Sequence, residues 1–248
     1  MEIAGRTVVV TGAAGGIGGA CSALLAERGA RVVLVDRDEG LASGVLAGLP
    51  GDGHLVSGFD VADQTACSEM FSRLADERRD LAGLVNAAGI VTGGEPWPSG
   101  DLSRMMQVIA VNAGATVTLT TLAARHPVPG ERAVVNISSA AAIRPHGPDP
   151  TYGLSKAGVL AFTRSAARSA SGLRVNAVLP GVVRTAMLNA TGVDGVAPWL
   201  APRLGGPLLT ARHVADAVLA QLVGDANGEA WSLELDPADG ERVVTAVV

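Results

Sequence analysis

Tyr152 and Lys156 are the only tyrosine and the only lysine in the chain, and they stand four residues apart. The surrounding stretch reads as a helix, so both side chains fall on one face. A tyrosine hydroxyl titrates near 10, so its use as a base near neutrality needs a shift of about three units, roughly 4 kcal/mol. A neighbouring ammonium supplies charge of the right sign. Ser139, closing the run Asn136-Ile137-Ser138-Ser139, brings a hydroxyl to the same cleft. Such a set holds an oxygen and moves a proton to or from it.

A second constellation lies near the N-terminus. Thr11-Gly12-Ala13-Ala14-Gly15-Gly16-Ile17-Gly18-Gly19 follows an apolar run and leads into a helical stretch. A glycine-rich turn there lets the backbone approach a pyrophosphate, whose charge sits against the free N–H groups of the helix start. The spacing Gly12-x-x-x-Gly16-x-Gly18 has a wider first interval than the commoner dinucleotide fingerprint, and similar turns also simply join strands to helices. A Walker-type loop is excluded because Lys156 lies far away. Asp36 stands 18 residues past Gly18, where a carboxylate accepts hydrogen bonds from ribose hydroxyls and repels a 2′-phosphate. That favours NAD over NADP, although Arg37 is adjacent and within reach of such a phosphate. A bound cationic nicotinamide would add to the ammonium in lowering the Tyr152 hydroxyl. Asp60 and Asn86 close two further runs at strand ends, where open parallel sheets bind ligands; either residue equally caps the helix or turn that follows.

The elements that must hold these residues are legible from hydrophobic pattern. Short β-branched runs occur at Thr7–Val10, Arg31–Val35, His54–Val56, Gly83–Val85, Ala133–Ile137, Val175–Val178 and Trp231–Leu235. Several are continuously apolar, as strands buried on both faces require. Helical stretches near 16–28, 38–48, 64–77, 99–125, 151–171 and 211–223 alternate with them. The pattern predicts one α/β domain over 1–248: a three-layer, doubly wound, Rossmann-type parallel sheet of about seven strands.

With those motifs in place, the sequence resembles the short-chain dehydrogenase/reductase family over essentially its whole length. The resemblance rests on Thr11-Gly12 to Gly18, Asp60-Val61, Asn86-Ala87-Ala88-Gly89, Asn112, Ile137-Ser138-Ser139, Tyr152-x-x-x-Lys156 and Pro180-Gly181-Val182-Val183-Arg184-Thr185, all in family order. It implies that Tyr152 is the general acid/base and that Lys156 holds the nicotinamide ribose and lowers the tyrosine. It further implies that Ser139 orients the substrate oxygen and that Asn112 helps hold a relay water. Ser138 is the alternative to Ser139, whose thirteen-residue interval to Tyr152 fits the family better. Asp60 and Val61 would meet adenine, Asn86 and Ala87 the adenosine-side ribose region, and Val183 and Thr185, in the segment opened by Pro180, the carboxamide. Two departures stand out. The end of the chain, 236–248, lacks the family's usual Asp-Gly-Gly ending, and 186–209, with Met187, Leu188, Trp199 and Leu200, reads either as a lid with an apolar inner face or as ordinary packing.

Composition narrows the remaining classes. The chain has 248 residues, 48% hydrophobic, 17% charged and a net charge of -5, which fits a large core and lacks the basic stripe of a nucleic-acid binder. Met105–Ala124 is uncharged and long enough to span a bilayer, but Gln107, Asn112 and four threonines would each need a partner in hydrocarbon, so no membrane partner is expected. Cys21 and Cys67 fit a reducing, cytoplasmic setting, and the first residues show no leader pattern. The four histidines lack ligand spacing, so no metal is expected; Arg144 and His146 read as solvated loop residues near the substrate mouth. No Gly-x-Ser-x-Gly elbow is present. Few charges to cover the surface, and small residues on 152–170, lead to an expected covered apolar surface on 105–124 and 152–170; the family resemblance implies that these two helices pair between subunits in a homotetramer. The function expected is NAD-dependent interconversion of a secondary alcohol and a ketone on a small molecule with an apolar portion; the competing reading is a silent NAD-binding module.

Overall fold

The computed structural model describes residues 1–144, 148–236 and 240–247. Eight strands form one sheet: β1 (Thr7–Thr11), β2 (Arg31–Asp36), β3 (Leu55–Gly58), β4 (Leu81–Asn86), β5 (Arg132–Ile137), β6 (Leu173–Pro180), β7 (Ala230–Leu235) and β8 (Arg242–Ala246). Their order is β3-β2-β1-β4-β5-β6-β7-β8. All pairs are parallel except β7 with β8. The sheet therefore has one strand more than the seven expected. The extra strand is the β-branched run Val243-Val244-Thr245, which folds back antiparallel on β7 and is exposed along its length.

The continuously apolar strands are buried on both faces, as their sequence requires. Val8 and Val10 join one core with Val32, Leu34 and Val135, while Val9 joins the other with Val33, Val35 and Val134. The period of two thus feeds alternate side chains to opposite helix layers. The first layer is α1 (Gly16–Glu27) and α7 (Ala211–Val223); Leu24, Leu25, Val218 and Leu222 enter its core. Gly83 lets this layer lie close, since a Cβ there would stand 2.7 Å from Cδ1 of Leu222. The second layer includes α3 (Gln64–Asp76), whose Met70, Phe71 and Leu74 meet Leu119 of α5 (Ala115–Arg125).

The long helical stretch expected over 99–125 is interrupted. α4 (Leu102–Ile109) passes into α5 through a π-helical turn, Ala110–Gly114, that carries Asn112. One extra residue in the turn widens the backbone spacing there, and such bulges cost helix regularity. The combined helix, 102–125, is long and apolar enough to cross a membrane, and its most apolar window is 44% buried against this protein. α2 (Glu39–Ala47) and α6 (Pro150–Ser169) complete the set.

Strand order changes direction between β1 and β4, and the crevice at their carboxyl ends is where open α/β sheets take ligands.

Candidate active site

The glycine-rich turn is built for close approach. Gly12 adopts a φ of +65°, and a Cβ on it would come within 2.8 Å of the Ala88 backbone. A Cβ on Gly18 would stand 2.1 Å from the carbonyl oxygen of Gly12, and one on Gly16 would stand 2.6 Å from Cγ2 of Thr185. Side chains cap α2, α3, α4, α6 and α7, from Asp38, Asp63, Asp101, Asp149 and Thr210. α1 begins without a side-chain cap, at Gly15; α5 also lacks one, but it continues directly from the π-helical turn. The first amides of α1 are left to an incoming acceptor, and a pyrophosphate fits such a start. Asp36, half-buried at the end of β2, accepts from the amides of Ala14 at 3.0 Å and Asp38 at 3.1 Å. It therefore ties the turn to the second strand. Arg37 beside it is exposed.

Other residues expected around the cofactor divide into two groups. Ile17, Ala87, Pro180, Val183 and Thr185 line one cavity of about 1200 Å³ together with Ser139, Tyr152 and Lys156. Asp60 is exposed and accepts from the Ala62 amide, while Val61 is packed into the core beside it. Asn86 faces inward: its amide donates to Oδ1 of Asn136 at 2.8 Å and to Thr120 at 3.2 Å, because β4 and β5 pair Asn86 with Asn136 in register. Thr11 contributes what the sequence did not advertise, since its buried hydroxyl accepts from the amides of both Ala87 and Ala88 at 3.1 Å. That contact joins the two strand ends flanking the switch point.

α6 presents the reactive pair. Asp149 caps it through the Tyr152 amide at 2.9 Å and also holds Thr92 at 3.1 Å, with Pro150 in the first turn where its missing N–H costs nothing. The Lys156 ammonium lies 5.8 Å from the centroid of the Tyr152 ring and donates to the Ile137 carbonyl at 2.9 Å. Burial pushes this lysine down to about 8. Burial also raises the Tyr152 hydroxyl above its ordinary value, against a hydrogen bond with Ser139 that lowers it. In the protein alone, then, the lowering that base catalysis needs is opposed by desolvation. Both serines line the cavity, but Ser138 is buried and its hydroxyl donates to the Lys156 carbonyl at 2.7 Å, whereas the Ser139 hydroxyl bonds with Tyr152.

Asn112 is wholly buried behind the pair. Its amide oxygen accepts from the Ile90 amide at 2.8 Å, and its nitrogen donates to the Ile90 carbonyl and to Ser155. Gly89 leaves the gap open between this residue and the lysine, since a Cβ there would stand 3.3 Å from Nζ of Lys156 and 3.4 Å from Oδ1 of Asn112.

The segment 186–209 leaves and rejoins the sheet at one point, where Val183 bridges Leu209 and the Arg184 amide donates to the Leu209 carbonyl at 2.8 Å. Met187, Leu188, Trp199 and Leu200 line the cavity, with Leu200 buried and Met187 and Trp199 more open. His146 and part of the atypical end, 237–239 and 248, lie outside the described residues.

The sheet order, the glycine turn and the Tyr152–Lys156–Ser139 cluster define a dinucleotide-dependent oxidoreductase of the α/β class. The profile described as short chain dehydrogenase matches residues 6–194. A cis-4-hydroxycyclohexanecarboxylate dehydrogenase from Sinomonas cyclohexanicum is 39% identical over 226 residues, covering 89% of this chain and 90% of that one. The human 15-hydroxyprostaglandin dehydrogenase [NAD(+)] is 35% identical, covering 77% and 73%. Among solved structures, a short-chain type dehydrogenase/reductase from Mycobacterium ulcerans superposes with a TM-score of 0.81 at 25% identity, covering 94% and 89%. This protein belongs to the short-chain dehydrogenase/reductase family, whose members carry out hydride-transfer oxidoreduction with a nicotinamide cofactor.

Proposed function

We propose that the protein is an NAD-dependent oxidoreductase that interconverts a secondary alcohol and a ketone, with Tyr152 as general acid/base. The observation that carries this reading is the junction of the Tyr152 hydroxyl with Ser139, beside the Lys156 ammonium, in a cavity continuous with Pro180, Val183 and Thr185. A bound nicotinamide would supply the hydride acceptor for the carbinol carbon. Gly12, Gly16 and Gly18, the open start of α1 and Asp36 would hold its dinucleotide, and Lys156 its ribose. Ser139 and Tyr152 hold the substrate oxygen between their hydroxyls; the tyrosine, ionised, takes the carbinol proton as the C–H bond breaks, and the ketone is left. The Lys156 charge favours the ionised tyrosine. In the reverse direction the tyrosine returns its proton to the ketone oxygen.

Asp36 supports NAD over NADP by placing a carboxylate beside the ribose end of the crevice. The human 15-hydroxyprostaglandin dehydrogenase, named for NAD(+), and the Sinomonas dehydrogenase, named for a hydroxylated ring, support the same cofactor and a carbinol on an apolar frame. A panel of secondary alcohols incubated with NAD tests the reading: NADH formation is expected, and NAD binding with no turnover of any alcohol would favour the silent-module alternative.

The assembly we propose is a homotetramer. Met106, Ala110, Gly114 and Val117 on the α4–α5 helix, and Leu154, Gly158 and Ala161 on α6, are all exposed. Their spacing of three and four makes two apolar, small-residue stripes, the kind of surface a second copy covers. Met106→Glu combined with Leu154→Glu should dissociate the protein in analytical ultracentrifugation; an unchanged sedimentation coefficient would rule these helices out of the interface. Cys21 and Cys67, both buried and free, support a reducing cytoplasmic setting.

A further inference from the structure

One polar feature of the cavity wall has no part in the reaction. The guanidinium of Arg144 pairs with the carboxylate of Glu234, and both side chains line the cavity. The chain reaches Arg144 from Ser139 by a short route. Ser139 starts the 3-10 turn Ala140–Ala142, and the Ala140 carbonyl accepts the Arg144 amide at 3.1 Å. Ala140 and Ala141 line the cavity within this turn. A hydroxyl for the reacting oxygen and a cation thus flank a methyl-covered spacer along one stretch of backbone. Glu234 arrives from β7, where a Cβ on Gly181 would lie 3.9 Å from its Oε1. The same pair lines a smaller cavity of about 210 Å³ alongside Ile143 and the β8 residues Val243 and Thr245, so it stands between the two chambers.

The charges around it decide what such a wall recognises. Among the described side chains, Arg144 and Lys156 are the cations of the main cavity. Lys156 is buried and committed to the Ile137 carbonyl and the tyrosine. Arg144 is held by a single ion pair and its side chain is 59% exposed. A guanidinium presents a planar fork of N–H donors that matches a carboxylate, and Arg144 already pairs with the Glu234 carboxylate through one of them, Nη1. Of the other lining carboxylates, Asp149 is engaged with the amides of Tyr152 and Thr92, while Glu95 and Asp194 sit at exposed positions where solvent screens them.

We propose that Arg144 is a specificity residue for substrates that carry a carboxylate across an apolar spacer from the carbinol carbon, with Glu234 as the resident competitor that the substrate displaces. The proposal rests on the alcohol–ketone reading above. It is tested first without turnover, by calorimetric binding of cyclohexanecarboxylate and of its neutral counterpart cyclohexanecarboxamide to the full-length, NADH-loaded protein. The ratio of the two affinities cancels any general change in the cavity. Arg144→Gln should lower the acid-to-amide ratio about tenfold or more, the scale of a lost charged hydrogen-bonded pair; Glu234→Gln should raise it. A ratio unmoved by both substitutions overturns the proposal. Should Arg144→Gln fail to fold, the Glu234→Gln arm and the parent's salt dependence decide: the ratio must fall as salt rises, and a flat response overturns it.

Turnover separates the two readings. The parent should oxidise cis-4-hydroxycyclohexanecarboxylate with a higher kcat/KM than cyclohexanol, and Arg144→Gln should erase that preference. A parent that binds the acid selectively but oxidises no secondary alcohol removes the reaction and leaves the carboxylate site. A parent that oxidises cyclohexanol and shows no acid preference removes the Arg144 assignment alone.

Discussion

The two ends of the cavity are made by different means. At the cofactor end the contacts are those of backbone with backbone: Gly12 against Ala88, Gly18 against the Gly12 carbonyl, and an α1 start left uncapped. Side chains there mostly tie strand ends together, as Thr11 does with Ala87 and Ala88 and Asp36 does with Ala14. At the substrate end the backbone is a frame and side chains act: the hydroxyls of Tyr152 and Ser139, the ammonium of Lys156, the fork of Arg144. The difference teaches where each kind of function tolerates change. A backbone cradle fails when any atom is added, whereas a side-chain site fails when one particular atom is removed.

Removing one atom from the substrate end is expected to have the largest effect on rate. Tyr152→Phe keeps the ring against Lys156 and deletes the proton carrier, so kcat should fall by about 10²–10⁴-fold. NAD affinity, read by calorimetry, should stay near that of the parent, because the cradle is untouched. Substantial remaining turnover would take the proton-transfer role away from Tyr152. The opposite experiment adds one atom to the cofactor end. Gly18→Ala would place a Cβ 2.1 Å from the Gly12 carbonyl oxygen, against backbone that cannot swing aside. The expected result is a stability loss of about 1–3 kcal/mol and a collapse of NAD binding. Parent-like melting and parent-like NAD affinity would show that the turn is looser than its contacts indicate.

The same contrast explains what could be read in the sequence. Backbone demands leave compositional marks: Gly12, Gly16 and Gly18 announced the turn, and the unbroken Val8-Val9-Val10 announced a strand buried on both faces. Tyr152 and Lys156 were legible because helical spacing is local. Features set by register and long-range packing were not. Asn86 turns inward only because β4 pairs it with Asn136, fifty residues away. Ser138 and Ser139 are chemically identical neighbours, told apart by distant partners: the Lys156 carbonyl engages Ser138 and the Tyr152 hydroxyl engages Ser139. The π-helical turn at Asn112 has no composition of its own. β8 did carry a signal, the β-branched run Val243-Val244-Thr245, but nothing local to that run sets its antiparallel pairing with β7.

Asp36 sharpens the comparison at smaller scale, because it is a side chain working in the backbone-built end. Asp36→Ala should relax the preference for NAD over NADP by about tenfold, the scale of one lost charged contact. It should also loosen the turn, since the Ala14 amide loses its acceptor. Equal use of NAD and NADP by the parent would remove the discriminating role and leave the structural one.

The smallest expected effect is a change in slope rather than in rate, and it separates what burial does to Lys156 from what it does to Tyr152. Burial lowers the lysine from 10.5 to about 8, so between those values the unfolded chain binds more protons at this site than the folded one. Stability therefore rises with pH across that window, and below about 8 both states are protonated and the cost of holding the charge is felt in full. Tyr152 has the opposite sign. Its hydroxyl is raised above 10.0 in the folded protein, so it weakens stability only as pH climbs past that value, where the unfolded tyrosine ionises first. From pH 8 to 10 the lysine acts with little opposition from its neighbour. Chemical denaturation of the cofactor-free protein through this interval should show the stability of the parent gaining with pH relative to that of Lys156→Met, which lacks the titrating group. The pH slope of Tyr152→Phe should depart from that of the parent only above pH 10, whatever constant offset the lost hydrogen bond to Ser139 adds. Parallel profiles for the parent and Lys156→Met would mean that the ammonium is as well solvated in the fold as in the unfolded chain, and the buried-cation account of this end of the cavity would fall with it.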